Sequence, residues 1–134
     1  MTADYERALL DTSVVIDYPA AAVARHTVSA AICTVTLAGL AAGLHTPDPL
    51  VNTAREQRYE WIVSTFAAIT FGSQAARTYG ALCASARSIG RDPKPRRFDL
   101  LIAAVAVAAD LPLLTRNQVD FRGIHDALTL IPVD

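Results

Sequence analysis

Asp11, Asp99, Asp120 and Asn117 have side chains suited to chemistry, and they stand beside segments that do not call for them. Asp11 follows the apolar run Ala8–Leu10. Asp99 opens the almost wholly apolar stretch Phe98–Asp110. Asp120 comes a short loop after "LPLLT", with Asn117 between. The chain has only 13 acids, so acids beside such apolar segments are less expected than acids on a surface. If three carboxylates met, each pair about 4 Å apart would repel by roughly 4 kcal/mol at an effective dielectric near 20. A proton or a cation must then neutralise the cluster, and an all-oxygen donor set suits Mg²⁺ or Mn²⁺. Asn117 would add a neutral oxygen or orient a carboxylate. Taken singly, each acid also has a structural reading: Asp99, for example, suits the positive end of a helix.

The elements that must position these residues follow from the pattern. A short apolar strand ends at Asp11. Thr12 and Ser13 can cap a helix that runs to about Tyr18, before Pro19 stops it. Residues 29–35 read as a buried strand, and Thr36 caps a helix containing Gly39. Glycine inside a helix costs about 1 kcal/mol relative to alanine, so Gly39 is unexpected on propensity alone. After Pro47 and Pro49, residues 50–66 have helical periodicity, with Val51, Ala54, Tyr59, Ile62, Val63 and Phe66 on the apolar face. Residues 68–71 form a strand. Ser73 caps a helix reaching about Ile89 and closed by Gly90. Residues 91–97 are a loop, 98–110 a central helix, and 111–115 and 128–133 two further strands. Alternating strands and helices predict an α/β fold. Its parallel sheet of four or five strands has helices on both faces, in one domain spanning residues 1–134. In such sheets, sites form outside the carboxyl ends of the strands.

Composition narrows the function classes. A 52% hydrophobic content and a mean hydropathy of +0.30 supply a real core, so disorder is excluded. A net charge of −1 means that any nucleic-acid binding must come from a local patch. Arg91, Lys94, Arg96 and Arg97 flank the start of the Asp99 helix, and Arg116 and Arg122 bracket Asn117 and Asp120. Cations beside the acids suit phosphate binding, although "RDPKPRR" reads equally as a solvated loop. Arg116 is the stronger candidate, with a structural pairing as its alternative. Cys33 and Cys83 lack CxxC spacing and read as buried thiols of a reduced, cytoplasmic chain. The N-terminus does not resemble a signal peptide, and the run Leu100–Ala109 is too short to span a bilayer, so no membrane is expected. His26, His45 and His125 lack zinc spacing. Ser13 has no His and Asp arranged to make it a nucleophile. Asp11 as the nucleophile of a phosphotransferase lacks the expected second Asp, since Ser13 stands two residues on. Tyr59 and Trp61 read as core or dimer packing rather than base stacking.

In order and spacing, "LLDTSVVID", "TVTLAGLAAGL", "RRFDLLIAAVA" and "LPLLTRNQVDF" resemble the four blocks of PIN-domain proteins, and more closely those of the VapC toxins. The resemblance runs from Leu9 to the final strand. It implies a Mg²⁺- or Mn²⁺-dependent endoribonuclease, usually a homodimer. A VapB antitoxin would silence it and tether it to operator DNA. Asp11, Asp99 and Asp120 would be the matching acids. Asn117 and the hydroxyls of Thr12, Ser13 and Thr115 would lie close by, with Arg97 and Arg116 toward the RNA. The family's second block reads T-L-A-E-L, and this chain has Gly39 at the Glu position. Either the acid was lost naturally, or it was removed so that a toxic chain could be expressed. Activity would be impaired, and the alternative function is a catalytically inactive PIN domain that binds antitoxin.

Overall fold

Successive residues at the end of the first strand join different apolar clusters, one on either side of a sheet. The computed structural model describes residues 3–121, 123, 124 and 126–134. Strand β1 (Tyr5–Leu10) places Leu9 in one apolar cluster, and Ala8 and Leu10 in another. Strand β2 (Thr27–Cys33) divides Cys33 from Ile32 in the same way, and β4 (Leu113–Thr115) divides Leu113 from Leu114. This is the period-2 alternation of a sheet buried on both faces. With β3 (Ala67–Ile69) and β5 (Leu130–Pro132), the sheet has five parallel strands in the order β3-β2-β1-β4-β5.

Helices cover both faces, as the alternation of elements predicts. On the Leu9 side lie α5 (Ser73–Ser88) and α6 (Arg97–Ala108), with Phe121 from the short α7 (Gln118–Phe121). Ala103, Ala104 and Ala106 of α6 are buried, and their small side chains let the helix sit close to the sheet. On the Leu10 side lie α1 (Thr12–Val15), α2 (Ala20–Ala24) and the end of α4 (Pro49–Thr65). Helix α3 (Thr34–Ala42) contributes Val35 to the first cluster and Leu37 to the second. No helix among the described residues is long and apolar enough to cross a membrane. Cys33 and Cys83 are free and buried, as expected.

Several local expectations are corrected. The first helix is one turn ending at Val15, and Asp11 rather than Thr12 or Ser13 occupies its N-cap. The helix containing Gly39 begins at Thr34 with Cys33 as its cap, so Thr36 lies inside it and is buried. Gly72 rather than Ser73 caps α5. The loop at 91–97 contains a 3₁₀ turn, Lys94–Arg96, where two prolines hold φ near the helical value. The short helices α2 and α7 carry too few residues for a periodic signal. Of the apolar face expected on α4, Ile62 and the cap Phe66 are buried, whereas Ala54 and Val63 are exposed. Only the C-terminal end of α4 reaches the sheet, where Trp61 and Phe66 close edge-to-face with Tyr18 nearby. The expectations concerning Arg122 and His125 lie outside the described residues.

Candidate metal centre

Strand order reverses at β1, which has β2 on one side and β4 on the other. The carboxyl ends of β1 and β4 therefore flank a crevice of the kind where α/β sheets bind ligands. Asp11 stands at that crevice, 2% exposed, and its backbone N–H donates to Leu114 O at 2.9 Å. It occupies the N-cap position of α1, yet its carboxylate makes no capping bond. Instead Oδ2 accepts from Ser13 Oγ and from Thr115 Oγ1, each at 2.8 Å. Ser13 Oγ in turn accepts from Arg116 N, and Thr115 Oγ1 accepts from Asn117 N. The two hydroxyls thus tie one carboxylate oxygen to both strand ends. Among the described residues, Oδ1 makes no hydrogen bond.

Thr115 is fully buried, and it links Asp11 to the backbone of the β4–α7 loop. Thr115→Val keeps its shape and removes both bonds. The substitution is expected to cost about 1–3 kcal/mol in urea unfolding, because the Asn117 N–H and Asp11 Oδ2 lose a partner together.

Asp99 lies in the first turn of α6, half-buried. Burial, then the negative charges of Asp11 and of Asp120, push its carboxyl up to about 6, with Arg96 opposing them. These acids therefore share one electrostatic neighbourhood. The sign of the pH effect follows. The folded chain holds the Asp99 proton more tightly than an unfolded chain with the ordinary value of 3.8. Metal-free stability thus falls as pH rises from about 4 to about 6 and stays lower above that. Asp99→Asn is expected to raise metal-free stability at pH 7.5 and to bring little gain at pH 4.5, as read by thermal melts at both values.

Asp99 lines a cavity of about 360 Å³ with Thr12, Val35, Gly39, Leu40 and Phe98. A Cβ built on Gly39 meets no atom within 4 Å, so the backbone there accepts a side chain without strain. Thr12 Oγ1 pairs with Thr36 Oγ1 at 3.1 Å. Thr36, read from the sequence as a helix cap, is thus the buried partner of Thr12, which lines the cavity.

The remaining candidates lie farther out. Asp120 forms an ion pair with Arg96, Nη1 to Oδ1 at 2.6 Å, and lines a separate depression with Asn117 and Val133. Asn117 is exposed, and its carbonyl accepts from Asp120 N at 3.0 Å, shaping the loop. The Arg116 guanidinium donates to Ser13 O and Asp17 O, bracing α1. Arg97 is exposed at the start of α6, near Tyr79. Sequence reasoning did not single out Arg96, since it is one cation among four in a short loop. Among the described residues, no three acidic, histidine or cysteine side chains are drawn tightly enough together to chelate one ion. The donor chemistry nonetheless suits a hard divalent cation: two carboxylates from distant segments, with excess negative charge between them.

A family model described as "PIN domain" matches residues 8–125. Among solved structures, the fold resembles a member of the VapBC family of toxin–antitoxin systems, VapBC-5 from Mycobacterium tuberculosis. Identity is 28% over 96% of this chain and 99% of that one, with a TM-score of 0.79. A toxin–antitoxin complex from Klebsiella pneumoniae is 27% identical over 92% and 95% of the two chains, with a TM-score of 0.66. VapBC2 from Rickettsia felis, bound to a DNA fragment from its promoter, shares the fold with a TM-score of 0.77. Its identity is 22% over 96% and 99% of the two chains. No curated protein is a significant match.

Proposed function

The chain belongs to the PIN-domain family, and from that footing we propose that it is a VapC-like toxin of a toxin–antitoxin pair, built as one domain over residues 1–134. Its activity is Mg²⁺- or Mn²⁺-dependent RNA cleavage in the cytoplasm, weakened by glycine at position 39. The observation that supports this best is the electrostatic coupling of Asp99 to Asp11 and Asp120 at the switch point of the sheet. A carboxyl pushed up by burial and by acids from other segments, as Asp99 is, is typical of functional sites.

Asp11 and Asp99 would hold the cation, with Asp120 at the edge of the cluster. A bound divalent cation lowers the pKa of water and offsets charge on the scissile phosphate. Ser13 and Thr115 hold Asp11 in one orientation through Oδ2, so Oδ1 would be the oxygen available to a cation. Thr12 lines the cavity of Asp99 and Asn117 the depression of Asp120, and both would contact the phosphodiester. Lys94 and Arg97 are exposed beside the Asp99 helix and draw the RNA backbone in electrostatically. Arg116 serves RNA binding by fixing α1 rather than by direct contact. The partners are an RNA substrate, a VapB-type antitoxin that covers the crevice and links it to operator DNA, and a second copy of the chain.

A second reading has its own support. Gly39 brings no second carboxylate to the cavity that Asp99 lines, and Arg96 already pairs with Asp120. An antitoxin-binding module without catalysis fits both facts. Induction in bacteria separates the two. Growth arrest by the chain, or by Gly39→Glu alone, supports the ribonuclease. Retained antitoxin binding with arrest by neither supports the module.

A further inference from the structure

We propose that Arg96 is the resident counter-ion of Asp120, and that a divalent cation recruits Asp120 to the crevice only by displacing it. The inference rests on the metal-site reading above. Arg96 ends the 3₁₀ turn that leads into α6, three residues before Asp99. Its Nη1 donates to Asp120 Oδ1 at 2.6 Å and reaches Asp120 O at 3.5 Å. Arg91 donates to Val119 O and Asp120 O at 3.4–3.5 Å, so two guanidiniums hold the same loop. Asp120 and Asp99 open onto different depressions, the first lined by Asn117 and Val133 and the second by Gly39 and Phe98. The guanidinium holds Asp120 in its own depression, so Asp120 must turn away from Arg96 to bring an oxygen to the cavity of Asp99, and the positive charge beside it opposes a cation until it does. Yet the pair is about a third exposed on each side, so solvent screening keeps it weak enough to exchange. Arg96 is therefore a positioning residue: it stabilises the metal-free arrangement and competes with the ion for one ligand.

Mn²⁺ titration of the full chain by calorimetry tests this, with Arg96→Gln and Arg87→Gln compared to the parent. Arg87 lies in the last turn of α5, outside the crevice, and controls for the general loss of one positive charge. Arg96→Gln is expected to bind Mn²⁺ about three- to ten-fold tighter than the parent, with Arg87→Gln unchanged. In the parent, saturating Mg²⁺ should shift the Arg96 Nε–Hε resonance to that of a solvated guanidinium. If the parent binds Mn²⁺ and Arg96→Gln binds no tighter, or if Arg87→Gln gains as much, the inference fails while the metal site stands. An Arg96 resonance unmoved by saturating Mg²⁺ overturns it as well. If neither the parent nor Arg96→Gln binds Mn²⁺, the metal-site reading itself falls and takes the inference with it.

Discussion

Gly39→Glu is expected to raise Mg²⁺-dependent RNA cleavage on the order of 10²-fold, a scale on which single supporting groups move metal affinity or activity. Position 39 lies on the exposed wall of the cavity that Asp99 lines, and a Cβ there meets nothing within 4 Å. A glutamate can therefore enter without moving the backbone of α3. It adds one negative donor to a pair that already repels, so the metal-free protein gains little stability while cation affinity increases. Gly39→Ala separates the causes. Alanine recovers about 1 kcal/mol of helix propensity and supplies no oxygen, so it should stabilise α3 and leave cleavage unchanged. Cleavage of a defined RNA with Mg²⁺ and with EDTA, across all three chains, reads the effect. Equal rates with Gly and Glu would refute the role assigned to position 39.

Asp11→Asn, made in the Gly39→Glu chain, is expected to remove cleavage by two orders of magnitude or more while the fold persists. Asn keeps the size of Asp, and its amide oxygen can still accept from Ser13 and Thr115, so the network at the strand ends survives. The second oxygen becomes an NH₂ group, which repels a cation and cannot ligate it. Asp11→Ala differs. It leaves two hydroxyls without their acceptor at a site 2% exposed, and about 1–3 kcal/mol of stability should be lost with activity. Circular-dichroism melts beside the cleavage assay distinguish the two variants. A chain with Asp11→Asn that keeps more than a tenth of the parental rate would exclude Asp11 from the chemistry.

Much of the scaffold was legible because it rests on strong local contrasts. The apolar run ending at Asp11 is β1, the apolar helix opening near Asp99 is α6, and the strand ending at Thr115 is β4. Each of these turns abruptly from apolar to polar, and the switch in strand order follows from how they pair. Thr12, Ser13 and Thr115 were expected near the acids from the resemblance to PIN-domain proteins, and Ser13 and Thr115 bond the Asp11 carboxylate. What remained hidden depends on contacts between distant segments. Thr36 joins Thr12 across 24 positions, and no local pattern reveals a partner so far away. Arg96 and Arg97 are adjacent and chemically alike. One meets Asp120 and the other faces solvent, because successive residues at a helix start point about 100° apart. On α4, hydrophobic spacing predicted a long buried face, but the sheet is too small to cover more than its last turns.

The most direct measurement is an anomalous difference map from crystals of the unaltered chain soaked in Mn²⁺. A peak with oxygens of both Asp11 and Asp99 within about 2.5 Å is the predicted result. A map with no peak there, while the two carboxyls stand apart and Mn²⁺ is bound elsewhere, would contradict the assignment of the crevice as a metal centre.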